Sequence, residues 1–285
     1  MRVRLVSLSL ALLLGAAATS ANAAGGSSSR PNGPDVASFQ HPAGVAIDWQ
    51  RVHSAGASFA FVKATEGATY TNPYFSRDYA AVHKAGMVRS AYHYARPRST
   101  PSSARDQAKA FVQVAGTAGD KGDLPLTLDL EETGGLSPAQ LVSWTQSFVA
   151  EIKSLTRRQT ILYTYPYFWQ HAMGNSTAFT SLPLWLASYR SGGPRTPLPG
   201  GWQSWTFWQY TASGATPGIR GSVDESLFSG SSAQLNALAD PTASAASTGP
   251  LPIPLPIPLP IALPKHLPHL PAHPGAPTGH ANLGR

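Results

Sequence analysis

From about residue 34 to residue 240, short apolar runs alternate with longer stretches of mixed polarity. Eight of these runs read as strands: 34–38, 59–64, 88–94, 124–130, 160–164, 184–187, 205–210 and the residues around Val223. Several are apolar at nearly every position rather than at alternate ones, the pattern of strands covered on both faces. Between them, 74–85 carries Phe75, Tyr79 and Val82 at helical spacing, and 103–114 and 137–155 show the same period. Ser137 followed by Pro138 supplies an N-cap and a first-turn proline for the last of these. Eight strands with interleaved helices in roughly 205 residues predict an α/β fold, an irregular TIM-like (β/α) barrel. An open parallel sheet is the competing arrangement. No GxGxxG or phosphate-loop sequence occurs, which takes support from nucleotide-binding folds.

In such a barrel, chemistry gathers where strands run into their following loops. The polar and aromatic residues at those places are Asp35 in the first strand, Glu66 after the second, and Tyr92, His93 and Tyr94 at the end of the third. The fourth ends in Asp129, Glu131 and Glu132, the seventh carries Trp208, Gln209 and Tyr210, and the eighth is followed by Asp224. Residues two apart on a strand point the same way, so Asp129 and Glu131 share a face and Glu132 points away. Their Cα atoms stand about 6.5–7 Å apart. That spacing suits either glycosidase geometry, with carboxyls about 5–5.5 Å or about 6.5–9.5 Å apart. Two acids this close raise one another's proton affinity, which helps one serve as a general acid near neutrality. Solvated acids at a strand end are the plainer alternative, and Asp35 and Asp224 at other strand ends weigh against it. Trp202, Trp205, Trp208 and Tyr210 fall within nine residues, and flat rings of this kind stack on the C–H faces of sugars. Core packing is the competing use of tryptophan. Trp144 and Trp205 are expected in the core, and one of Trp208 and Tyr210 is expected to line a cleft.

Composition narrows the reading. The chain has 285 residues, 42% hydrophobic and 12% charged, which excludes disorder over its whole length. With no cysteine, a disulfide framework, a thiolate metal site and a cysteine nucleophile are all excluded. Of the formal charge of +7, residues 1–23 carry +2 (Arg2, Arg4) and residues 241–285 another +2 (Lys265, Arg285), which leaves about +3 for the body. Residues 1–23 read as a signal peptide: Arg2 and Arg4, an apolar run over 5–18, and Ala21-Asn22-Ala23 as a small-residue cleavage site. That run is short of the roughly 20 residues needed to span a bilayer. The expectation is a secreted, extracellular protein, associated with the cell wall or released, without stable membrane insertion. Residues 24–32 form a short linker, 33–240 the catalytic domain and 241–285 a proline-rich disordered tail holding 12 of the 26 prolines. Within it 251–260 alternates proline with leucine or isoleucine, which fits polyproline II at about 3.1 Å per residue. His266, His269, His273 and His280 are too irregularly spaced to read as a metal site. The body is left mildly basic without any lysine–arginine block, which argues against nucleic acid. No cofactor and no metal are expected.

Six segments, in order, resemble glycoside hydrolase family 25, the Chalaropsis-type lysozymes or N-acetylmuramidases. They are Asp35-Val36-Ala37-Ser38-Phe39-Gln40, Phe59 through Gly67 (FAFVKATEG), Ala91 through Pro97 (AYHYARP), Leu128-Asp129-Leu130-Glu131, Thr206-Phe207-Trp208-Gln209-Tyr210 and Val223-Asp224. The resemblance implies an irregular barrel with a long groove, and cleavage of the β-1,4 bond between N-acetylmuramic acid and N-acetylglucosamine in bacterial peptidoglycan. It implies Glu131 as general acid and Asp129 as the residue that orients the substrate N-acetyl group. Asp35 and Asp224 complete an acidic floor, and Tyr94 and Trp208 contact the glycan. Tyr92, Glu66 and Tyr210, at the strand ends already named, are expected as further substrate-binding residues. The enzyme is expected to work as a monomer. A wall-binding protein that has lost its chemistry, a chitinase-like glycosidase, and a metal site on the acids with His93 are the competing readings. Pro34 departs from the family pattern just before Asp35, and the proline-rich tail has no counterpart in the family core.

Overall fold

The structure, a computed structural model, describes residues 30–244. The expected signal peptide and nearly all of the expected tail lie outside these residues. Nine strands form one sheet: β1 (Asn32–Val36), β2 (Phe59–Glu66), β3 (Tyr70–Thr71), β4 (Val88–Tyr94), β5 (Thr127–Asp129), β6 (Ile161–Thr164), β7 (Leu184–Ala187), β8 (Phe207–Gly214) and β9 (Val223–Phe228). The helices are α1 (Trp49–Ser54), α2 (Phe75–Lys84), α3 (Ser103–Ala115), α4 (Pro138–Thr156), α5 (Pro166–His171) and α6 (Ser232–Leu238), and the chain adds a last turn at Pro241–Ser244.

The sheet order is β1-β9-β8-β7-β6-β5-β4-β2-β3, and β1 also pairs with β2. That pairing closes eight strands into a barrel and removes the open-sheet alternative. The ladders are parallel except at β9, which runs antiparallel to both β8 and β1, and at β3, a two-residue strand antiparallel to the end of β2. Closure requires β1 and β2 to approach closely. A Cβ on Gly33 would sit 1.9 Å from the Phe59 carbonyl oxygen, so only glycine fits there. Pro34 is accommodated in β1 opposite Glu225, and Asp35 falls in register with Phe61 on one side and Asp224 on the other.

Alternation along the strands builds two cores. Phe59 and Phe61 of β2 join Ile161, Tyr163, Trp185, Phe207 and Phe228 inside the barrel. Ala60, Val62 and Ala64 of the same strand face the helices with Leu126, Leu128, Leu162 and Leu186. Inside, Phe61 stacks on Trp185 at 3.9 Å between ring centroids, and Phe207 meets Phe59 and Phe61 edge-on at 5.2 and 5.1 Å. This aromatic plug fills the lower barrel and leaves its upper end to polar residues.

The run expected as a strand over 124–130 is regular only at Thr127–Asp129. Pro125 has no N–H to offer the ladder, and Asp123 pairs with Arg89 only as an isolated bridge. The three long helices start and stop within two residues of expectation. At α4 the side chain of Gln140 accepts a 3.0 Å bond from the Ser137 N–H, the reciprocal half of a capping box.

Candidate active site

Asp35, on β1, and Asp224, on β9, face each other directly because the two strands are antiparallel and in register. Asp129 ends β5 with its side chain inside the barrel, opposite Tyr94 and Tyr163 in the flanking ladders. Extended geometry continues one residue further, since the Leu130 N–H bonds to the Tyr163 carbonyl at 3.0 Å and Leu130 packs outward, fully buried. Glu131 therefore returns to the inner side, and its charge reaches both Asp129 and Asp35. The loop beyond is pinned at Gly134, with φ +58° and a hypothetical Cβ only 1.8 Å from the Pro97 carbonyl oxygen. The structure thus brings Asp35, Asp129, Glu131 and Asp224 to one mouth.

Crowding governs their chemistry. Burial, then Asp224, then Glu131 push the Asp35 carboxyl well above the usual range, against a lowering bond from Gln209. Burial first and Glu131 second do the same to Asp129, against the nearby charge of Lys63. Asp129 Oδ1 is buried and has no hydrogen-bond partner. Acids so coupled hold protons as a set rather than one by one.

Tyrosines wall the cluster. Tyr92, Tyr163 and Tyr189 all have hydroxyls pushed far up, chiefly by burial and then by the surrounding carboxylates, so they stay protonated. Tyr163 and Tyr189 donate to Gln209 Oε1 at 3.0 and 2.8 Å, and Gln209 Nε2 donates to Asp35 Oδ2 at 2.9 Å and Asp224 Oδ2 at 3.3 Å. At the rim, Lys63 Nζ bonds Glu66 Oε2 at 2.5 Å and Arg96 joins Glu66 to Glu132, which also accepts from the Tyr94 hydroxyl at 2.9 Å. Partial burial works to raise Glu66, but Lys63 and Arg96 together hold it below the usual value. Tyr94 lies 4.7 Å from both the Lys63 ammonium and the Arg96 guanidinium. Glu66 and Glu132 are thus ion-paired rim groups, separate from the four acids.

Trp208 and Tyr210 do not divide between core and cleft. Gln209 between them faces inward, so both face outward: Trp208 is 3% exposed and donates to the Ser188 carbonyl at 2.7 Å, and Tyr210 donates to Glu225 at 2.5 Å. Neither ring is open to the mouth. Trp144 packs in the outer core and Trp205 against it, as expected. His93 also faces outward, fully enclosed between Thr65 and Gln107, where burial lowers it to about 4. It stands away from the acids, and no cluster of three or more metal-ligating side chains occurs among the described residues. Tyr163, near the end of β6, and Tyr189, just past β7, are polar residues where barrel strands run into their loops, and that position is the sequence signal that marks them, as it marks Asp129.

Large apolar rings do reach solvent at the mouth. Phe39, 84% exposed, follows β1; Tyr70 lies in β3 just past β2; Tyr167, 68% exposed, opens α5 after β6. The strand order places β1 and β6 four positions apart in either direction, on opposite sides of the barrel.

A closed α/β barrel with a carboxylate cluster at its mouth has the architecture of a glycoside hydrolase. Residues 34–219 match the family described as Glycosyl hydrolases family 25. The chain is 40% identical over 220 residues to lysozyme M1 of Streptomyces globisporus, covering 74% of this chain and 72% of that one. It is 39% identical over 207 residues to the N,O-diacetylmuramidase of Chalaropsis sp, covering 67% and 95%. Among solved structures, the bacterial lysozyme from Streptomyces coelicolor superposes with a TM-score of 0.69 at 37% identity, over 76% of this chain and all of that one. The chain belongs to glycosyl hydrolases family 25 and is a glycoside hydrolase.

Proposed function

We propose that the protein is a secreted, monomeric muramidase that hydrolyses the β-1,4 bond between N-acetylmuramic acid and N-acetylglucosamine in peptidoglycan. The observation that carries this is the meeting of Asp35, Asp129, Glu131 and Asp224 at one barrel mouth, in a chain whose relatives are named lysozyme and muramidase.

Glu131 gives its proton to the glycosidic oxygen as the bond to the anomeric carbon breaks. The carbonyl oxygen of the substrate's own N-acetyl group forms the new bond to that carbon. Asp129 Oδ1, an unfilled buried acceptor, receives the acetamido N–H and stabilises the positive charge that develops. Glu131, now a carboxylate, takes a proton from the water that attacks the anomeric carbon and restores the acetamido group. Asp35 and Asp224 form the floor, and their charge favours a transition state with cationic character. Phe39 and Tyr167 act as stacking platforms for sugars on either side of the acids, a role that suits their exposure better than that of Trp208. Lys63, Tyr94 and Arg96 shape the rim between them.

Reducing-end release from purified cell walls tests the reading. Wild type is expected to leave muramic acid at each new reducing end, and Glu131→Gln to cut turnover by at least about a hundredfold. Glucosamine-type ends point to the chitinase-like alternative. Sedimentation with walls without any release points to a binding protein. Near wild-type turnover by Glu131→Gln refutes the assignment of the acid.

A further inference from the structure

Gln209 is 1% exposed, and both ends of its amide are occupied. Its oxygen accepts the hydroxyls of Tyr163 and Tyr189; its nitrogen gives one hydrogen to Asp35 and one to Asp224. The orientation is not free. A carbonyl oxygen only accepts, and both tyrosines keep their protons in these surroundings. A flipped amide would set NH₂ against two O–H donors and C=O against two carboxylates. The contacts run from β6 and the end of β7, through β8, to β9 and β1, so one side chain ties five neighbouring strands around the mouth.

Two facing carboxylates repel, and a cation between them would neutralise them. An amide holds both in place by hydrogen bonds and adds no charge. We propose that Gln209 is a positioning residue for the reaction: its amide, aimed by Tyr163 and Tyr189, fixes the Asp35 and Asp224 carboxylates and sets the pH range in which that pair ionises. The inference rests on the muramidase reading above. The titratable groups whose charges couple to the pair are Glu131 and Asp129 beside β5, Tyr92 on β4, and Tyr163 and Tyr189, while Lys63 on β2 acts on Asp129. Gln209 donates to both aspartates at once.

The test uses the whole protein and soluble peptidoglycan fragments. Gln209→Leu keeps the side chain's bulk and removes both ends of the amide. Its kcat is expected to fall about tenfold to a hundredfold, in line with small displacements of catalytic groups, while KM changes by less than about twofold. The acid limb of its kcat/KM profile is expected to move about one pH unit upward, because a donor that favours the ionised carboxylates is gone. Gln209→Glu separates positioning from packing. A protonated glutamate can accept from the tyrosines and donate to an aspartate, so its activity is expected to recover toward acid pH and to fail near neutrality. A packing role alone predicts the same pH profile for both variants, and that result overturns the proposal, as does wild-type kcat and profile in Gln209→Leu. If Gln209→Leu melts early, the double variant Tyr163→Phe/Tyr189→Phe leaves Gln209 in place but releases its aim. It is expected to show the same shift of the acid limb, and an unshifted limb overturns the proposal. Wild-type product ends and Glu131→Gln run beside these as controls: glucosamine-type ends or no release sink the muramidase reading, an active Glu131→Gln sinks the assignment of the acid, and muramic acid ends with an inactive Glu131→Gln while both Gln209 variants behave as wild type sink only the role of Gln209.

Discussion

Asp35 shows how a single side chain trades stability for chemistry. Burial and Asp224 raise its carboxyl in the folded protein. It then keeps a proton at pH values where the unfolded chain has released it, and its share of stability falls as pH rises from about 3.9 through the folded value. At pH 7 the unfolded carboxyl has released its proton, and folding must either take the proton back or bury the charge, so the site costs stability there. Asp35→Asn is therefore expected to melt above wild type at pH 7, by about 2–4 °C for each kcal/mol relieved, with the gap closing toward pH 4. Calorimetry across pH checks this, and a variant that melts lower at pH 7 contradicts it. His93 pulls the other way. Its folded value near 4 lies below that of the unfolded chain, so its contribution is whole above about 6.5 and is lost as pH falls toward 4. Variant and wild type must be compared at each pH, where the His93 term cancels. Among the site residues, the acids and Tyr94 are legible in the sequence because strand ends and period-two alternation expose them. The same alternation, carried through Trp208-Gln209-Tyr210, turns the amide inward and both rings outward. Strand alternation, and not ring size, decides which member of that triplet bonds to the acids.

At the scale of elements, long or continuously apolar segments are the readable ones. Eight of the nine strands lie where apolar runs place them, and α2, α3 and α4 carry enough turns to show a helical period. β3, with two residues, and α1, α5 and α6, with six or seven, are too short to show any period. Yet these short pieces dress the mouth: Tyr70 stands on β3 and Tyr167 on α5. Tyr165, just before α5, has its hydroxyl raised by burial first and then by Glu131 and Tyr167, so that turn lies within reach of the acid's charge. If Phe39 and Tyr167 are sugar platforms, Phe39→Ala and Tyr167→Ala are expected to raise KM on long glycan strands severalfold. Turnover of the shortest cleavable fragment should change little. Equal losses on long and short substrates would assign these rings to folding instead. Stacking is worth more per site when a longer ligand occupies both ends, so the double variant should suffer most on intact walls.

At the scale of the molecule, a barrel without cysteine depends on its packing, and the lower end is sealed by the C-terminal elements. Leu235 and Ala239 enter the inner core. Arg158, buried, donates to the Leu238 carbonyl at 2.7 Å, and the Gly122 N–H donates to the Ala239 carbonyl at 3.0 Å. Removal of residues 245–285 is expected to leave the melting temperature and the hydrolysis of soluble fragments unchanged. Removal of 232–285 should lower stability sharply, since it strips apolar cover and leaves buried donors unmet. Thermal melts and fragment assays on the two truncations check this. Loss of soluble-fragment activity in the shorter deletion would make residues 245–285 part of the working domain.

The reversed direction of β9 has one more consequence. β1 enters the barrel at the end away from the acids, and β9, running against its neighbours, exits at that same end, where the Phe228 N–H bonds to the Pro31 carbonyl at 2.8 Å. Both routes into and out of the domain therefore leave from the floor, below the aromatic plug. A tether attached at either route holds the domain by its base and leaves the mouth facing outward, so the enzyme can be anchored to a surface, a bead or a second protein from either side without covering its own substrate entrance.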